Sequence, residues 1–372
     1  MPYMNFETLF DKYPMSRYNS TDMEIYGKKQ IDIREDNKSA VIDILLKRES
    51  TMPQMSEQLK LSHTALAKVI NELRQKNVVV LSELRDSGAG RPPKLYGVNG
   101  DCAIACSVIV MKKAVYVYYV DMRGFQVNKS ECENNFASLG DLLDYAAAQV
   151  KNLKKHPRLN EKILKNIYVG IPSAPLCGKT FSEASLAVSE KFGEEFPFAH
   201  TVARRNIDYE MIAESKYGVL NNGIKNAVLL NLDDYACASF MLGGNVYCGD
   251  NGMQGYEPEN PFEGLISAFG ADYENIAESY RRGELKAVSA VESCVGAQIE
   301  RVGNVMRFLD VGEAVLSGKV CLLGDGFLEF CKSKLGGGVR VRYSAMGKDV
   351  PAALSGAVWQ ATYFTLQEVM MR

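Results

Sequence analysis

Leu66, Val69, Ile70 and Leu73 recur at i, i+3, i+4 and i+7 directly behind Ser62, and this spacing constrains the fold more than any other feature of the chain. It predicts an amphipathic helix that Ser62 caps, since a serine oxygen can accept from an otherwise unpaired N–H of the first turn. Upstream, Val41, Ile42, Leu45 and Leu46 form one helical stripe from Ser39, closed at Glu49-Ser50. A second helix is expected from Thr51, with Pro53 in the first turn where its missing N–H costs nothing and Met55 and Leu59 facing inward. Only Lys60-Leu61 separates it from the helix that Ser62 opens. Val78 to Leu84 then alternates as a strand, Ser87 to Pro93 is rich in turn formers, and Lys94 to Val98 can return as a second strand. Three helices followed by a hairpin predict a winged helix-turn-helix over residues 39–100.

Charge says what such a module could meet. Residues 39–98 hold nine Lys and Arg against six Asp and Glu, a net +3, while the whole chain carries -2. Duplex DNA is held first through its phosphates, so a positive module on a negative body directs contact to that module. The polar face of the third helix supplies the candidate DNA-binding residues Ser62, His63, Thr64, Lys68 and Asn71, in the first turns, where side chains reach major-groove edges. Arg91, between Gly90 and Pro92, would project from an extended tip suited to a narrow minor groove. The competing reading is a helical protein-interaction domain whose charged face is merely solvated.

Residues 1–38 show no sustained period and read as an irregular arm with room for a short helix. From Ala103 the texture becomes α/β. Strands are expected at Ala103 to Val110, Ala114 to Asp121, Ile167 to Ile171, Ala227 to Leu232, Tyr235 to Leu242, Val320 to Leu323 and Val339 to Tyr343. Helices are expected at Leu139 to Asn152, Met211 to Tyr217, Leu265 to Ala268, Val288 to Phe308 and Ala352 to Met371. Such alternation over roughly 270 residues implies a layered α/β body, and 372 residues fit two or three compact units. The longest apolar run, Cys102 to Met111, is about half of what a membrane-spanning helix needs. With no basic region ahead of an apolar core at the amino terminus, the expected location is cytoplasmic, and the nine cysteines are expected as reduced thiols. No CxxC pair occurs and His63, His156 and His200 are scattered, so no local metal site is expected.

The order of parts resembles the regulator branch of the ROK family (repressors, open reading frames and kinases). The resemblance rests on SGAGRPPKL at 87–95, a strand pair ending Val120-Asp121-Met122-Arg123-Gly124, VGIP at 169–172, AESKYG ending at Gly218, and GGNVYCGDNGMQG at 243–255. It implies a two-lobed actin-like (ribonuclease H-like) ATPase-fold body: lobe 1 over 101–225 completed by helix 352–372, and lobe 2 over 226–351. It also implies a homodimer or homotetramer, double-stranded operator DNA as partner and a carbohydrate or other small-molecule effector, with no membrane.

The sequence departs from the family's kinases where they act. The first phosphate loop, an Asp-x-Gly-Gly-Thr turn in the family, falls on Ser107 to Met111, and the second on Asp233 to Cys237. Without glycines the backbone cannot close on phosphate, and two carboxylates repel it. The catalytic Asn-Asp pair falls on Arg205-Asn206, and an amide cannot act as a general base. The zinc signature falls on residues 258–270, which hold neither cysteine nor histidine. No catalytic residue, metal or cofactor is therefore expected; Asn206, Tyr256, Glu257 and Glu259 are the candidate effector-binding residues. The expectation is a DNA-binding transcription regulator of the repressor type with an inactive kinase-like body. The alternatives are a ROK sugar kinase with an accessory DNA-binding domain and a scaffold that uses the winged module for protein contact.

Overall fold

The computed structural model describes residues 30–82, 94–233, 235–250, 255–257, 261–269, 272–347 and 350–371. The chain first builds three helices, α1 (Gln30–Lys47), α2 (Met52–Leu59) and α3 (His63–Gln75), with a small sheet of β1 (Ser50–Thr51), β2 (Val79–Ser82) and β3 (Leu95–Val98) in the order β1-β3-β2. α2 and α3 start where the sequence places them. The Gln54 side-chain oxygen accepts from the Thr51 N–H at 2.9 Å, and the left-handed turn at Lys60 (φ 53°) swings the chain into α3. β2 and β3 pair antiparallel from Val79↔Val98 to Ser82↔Leu95. The first helix is longer than the stripe from Ser39: it runs unbroken from Gln30, through the part of the arm that left room for a short helix. Charge rather than apolar period extends it, because Lys38 pairs with Glu35 at 2.8 Å and with Glu72 of α3 at 3.3 Å.

Lobe 1 is a five-stranded sheet in the order β6-β5-β4-β7-β8, from β4 (Ile104–Val110), β5 (Ala114–Asp121), β6 (Gln126–Glu133), β7 (Leu164–Ile171) and β8 (His200–Arg205). The apolar run from Cys102 is the central strand β4, buried at every position as a strand covered on both faces must be. One face packs α4 (Leu139–Lys154) and α6 (Phe181–Glu195), beyond the short α5 (Pro157–Asn160). The other face packs α7 (Asn206–Lys216) and the last helix, numbered α12 (Ala352–Met371).

Lobe 2 holds β9 (Ala227–Leu232), β10 (Ala236–Leu242), β11 (Asn245–Val246), β12 (Tyr256–Glu257), β13 (Glu313–Gly318) and β14 (Arg340–Tyr343), in the order β11-β10-β9-β13-β14 with β12 also on β10. Helices α8 (Glu263–Phe269), α9 (Tyr273–Arg281), α10 (Leu285–Phe308) and α11 (Asp325–Leu335) belong to it, and its main core is drawn from all four and the sheet. The strand expected at Val320 to Leu323 is instead a 3₁₀ turn, Lys319–Leu322. The strand lies just before it, as β13, and Gly318 at φ 84° ends it in a conformation that no β-branched residue adopts readily. All nine cysteines are free thiols, and among the described residues no helix is long and apolar enough to cross a membrane.

The N-terminal elements and lobe 1 share one core. Val41, Leu45, Leu66, Ile70 and Tyr96 belong to the same buried cluster as Ala105 and Ile109 of β4 and Leu354, Leu366 and Met370 of α12. Gln367 of α12 donates to the Ser39 hydroxyl of α1 at 3.0 Å, and Lys76 beyond α3 donates to the Met370 carbonyl.

Candidate functional site

Two places gather chemistry. The first is the outer face of α3. Ser62 caps the helix, its Oγ accepting from the Ala65 N–H at 3.2 Å. Leu66, Val69, Ile70 and Leu73 are buried, while Ser62, His63, Thr64, Lys68 and Asn71 are all exposed on the polar side. The one acid in α3, Glu72, is neutralised from behind: Arg34 Nε donates to it at 3.0 Å and Lys38 lies within ion-pair distance. The Arg34 hydrogen bond holds its carboxyl below the usual range. The helix thus presents a positive N-terminal end and Lys68 with no free acid on α3 to repel phosphate. This neutralisation was not legible in the sequence, since no local spacing ties Arg34 to Glu72. Arg91 lies outside the described residues.

The second place is the junction between the lobes, where the start of α7 meets β10. Arg205, the last residue of β8, and Asp208 in the first turn of α7 form an ion pair with both side chains almost wholly buried (Nη2 to Oδ1 2.7 Å, Nε to Oδ2 3.0 Å). Ser239 of β10 donates to Asp208 at 2.7 Å, and Arg205 reaches the Ala238 carbonyl at 3.3 Å. Lobe 2 is therefore tied to the start of α7 by charge-assisted bonds, which suit two buried ions because each satisfies the other's desolvation. Asn206, the first residue of α7, points back into lobe 1. Its Nδ2 donates to the Val110 carbonyl at 2.7 Å and lies 3.4 Å from the Met111 sulfur, while its Oδ1 is buried without a hydrogen bond. A carboxylate here would face the Val110 carbonyl instead of donating to it. At the expected first phosphate loop, Ser107 to Val110 lie within β4, and the Met111 N–H is used by the Ala114 carbonyl at 2.7 Å. At the second, Asp233 pairs with Lys319 at 3.4 Å.

Tyr256 and Glu257 form β12, whose partners on β10 are Cys237 and Ala236; Glu259 lies outside the described residues. Arg205 and Ser239 bind the start of α7 to that same strand, so β12 and α7 both meet β10. Glu210, one turn beyond Asn206, was not foreseen. The Ser317 hydroxyl of β13 donates to it at 3.5 Å and in turn accepts from Asn231 of β9 at 3.0 Å. Burial pushes the Glu210 carboxyl up to about 7, with Asp233 and Glu214 adding repulsion. No local pattern could have announced this, because its partners come from strands 21 and more residues away.

A structural zinc of the kind that the resemblance implies does not fit this chain: residues 256–270 offer no cysteine or histidine.

No protein-family model matches the chain, and no curated protein matches it either. Solved structures do. A ROK family transcriptional regulator, described as a homolog of the E. coli MLC protein, superposes with a TM-score of 0.69 at 13% identity, covering 91% of this chain and 100% of its own. A ROK hexokinase from Thermus thermophilus gives a TM-score of 0.55 at 16% identity, covering 71% of this chain and 99% of its own. The mixed α/β body thus has the actin-like kinase fold found in ROK family proteins, a fold that regulators and sugar kinases share.

Proposed function

We propose that this chain is a DNA-binding transcription regulator whose N-terminal helices and small sheet form a winged helix-turn-helix. In this reading the ROK-like body has given up phosphoryl transfer for assembly and small-molecule sensing. The observation that carries it is the exposed face of α3, where His63, Thr64, Lys68 and Asn71 stand opposite four buried side chains and the helix's only acid is paired. That is the arrangement a major-groove helix needs: side chains free for base edges, no desolvated or repelling carboxylate, and a positive helix terminus toward phosphate. The larger share of the chain spanned by the regulator than by the hexokinase agrees with it.

Against the kinase reading stand Asn206, whose amide is spent on Val110, and the hairpin after β4, whose first N–H is spent on Ala114. Asn206, Tyr256, Glu257 and Glu259 are the residues assigned to an effector, for which a carbohydrate is the class the resemblance suggests. Operator half-sites call for a homodimer or homotetramer. An effector that binds one inter-lobe arrangement better than another would shift the population and so the spacing of two α3 helices.

A gel-shift titration against the promoter beside its own gene tests the reading, with duplex binding at moderate salt expected. A coupled assay over hexoses and amino sugars with Mg-ATP tests the alternative: turnover that depends on Asn206 would replace the regulator by a kinase.

A further inference from the structure

The geometry points to α7 as a lever between lobe 2 and the N-terminal module, with Glu210 as its input contact and Lys216 as its output contact. The lever rests on the functional reading only for its consequence, a change in DNA affinity; the mechanical coupling concerns this chain alone.

α7 is held on three sides. Ile207 and Met211 pack into the lobe 2 sheet beside Leu229, Met241 and Val315. Tyr209 and Ile212 pack in the core that contains α12. The two helices cross at Gly356, where a β-carbon would overlap the Tyr209 carbonyl and stand 3.1 Å from the Ala213 nitrogen. So close a backbone approach makes α7 and α12 move together, since packed interiors transmit displacement rather than absorb it. Glu214, fully buried, fastens the last turns of α7 to the chain after β14, accepting from Ala345 N at 3.1 Å and the Ser344 hydroxyl, and also accepts from Val219 N just beyond the helix at 2.8 Å.

At its far end the lever meets the module. Lys216 Nζ stands 4.0 Å from the centre of the Trp359 ring of α12, and Asp43 and Lys47 of α1 both act on its charge. Trp359 stacks on Tyr363 at 4.8 Å, one turn before the Gln367 that binds Ser39. A shift of α7 against lobe 2 therefore reaches α1 through Lys216, Trp359 and α12.

The input contact is ionisable. Around Glu210, among the described residues, stand Asp233 with its partner Lys319, Glu214 on the same helix, the Ser317 and Asn231 side chains, and the Cys237 and Cys321 thiols. Protonated, Glu210 sits against Ser317 without an unpaired charge. Ionised, it carries a half-buried negative charge beside Asp233 and Glu214, which favours withdrawal of α7 from the sheet.

The test uses the full chain and protons as the probe. Trp359 is the single tryptophan, so its emission reads the α7–α12–α1 junction. Titrated upward through neutrality, the parent's emission should change with a midpoint at about 7. Glu210→Gln should remove that transition. Lys216→Met should keep the pH dependence of the melting temperature while losing the emission change, a split that a merely structural lysine would not produce. Flat parent emission, or the same transition in Glu210→Gln, overturns the lever. Duplex affinity followed over the same range separates the two claims. A Glu210-dependent emission change in a chain that binds no duplex defeats the functional reading alone; flat emission in a chain that binds duplex defeats the lever alone.

Discussion

At the level of single residues, the chain makes sharp commitments. Ser62 Oγ on the Ala65 N–H is the cap of α3, so Ser62→Ala should lower stability by about 1 kcal/mol in urea unfolding. Asn206→Asp tests whether the start of α7 still tolerates the kinase-like carboxylate. It removes the donor to Val110 and sets a negative oxygen against that carbonyl. We expect destabilisation of about 1–3 kcal/mol at neutral pH and no gain of phosphoryl transfer; an increase in sugar phosphorylation would revive the kinase reading. For Glu210 the sign follows from its raised value. Its contribution is fully present below its ordinary value of 4.5 and is lost as pH rises through about 7. The melting temperature of the parent should therefore fall relative to Glu210→Gln over that window and run parallel to it above.

Among the elements, the packing of α3 and the crossing of α7 with α12 carry the architecture. Leu66→Ala or Ile70→Ala empties a fully buried position shared with α12 and should cost about 2–5 kcal/mol. What could be read in advance follows a physical rule. α3, β4 and α12 were legible because one face or both faces of each are buried and the apolar period repeats that burial. β6 was not, since it is an edge strand of largely polar residues exposed at alternate positions. The strand sought at 320–323 was displaced because β-branched and apolar residues continue past Gly318 into a 3₁₀ turn, where propensity is overruled by backbone geometry. At the lobe junction, Asn206 was found through its place in a resemblance. Glu210 and Gly356 were not, because their significance lies in the Ser317 hydroxyl and the Tyr209 carbonyl, contacts that no spacing along the chain encodes.

Across the full chain, a positive module shares its core with a body of kinase-like fold, so the module is not a tethered bead but an extension of lobe 1. Under the proposed function, duplex is gripped through α3 while Arg205, Asp208 and Ser239 tie the two sheets of the body together. The most direct measurement is the affinity of the full chain and of Lys68→Ala for a duplex from the promoter beside its own gene, taken over a series of salt concentrations. A regulator of this kind should bind with an affinity whose logarithm falls linearly with the logarithm of salt. Lys68→Ala should either shallow that slope by about one unit or cost about 1–3 kcal/mol at one base position. A parent chain that fails to bind the duplex at low salt, or a Lys68→Ala variant indistinguishable from it at every salt concentration, contradicts the assignment of α3 as the DNA-reading helix.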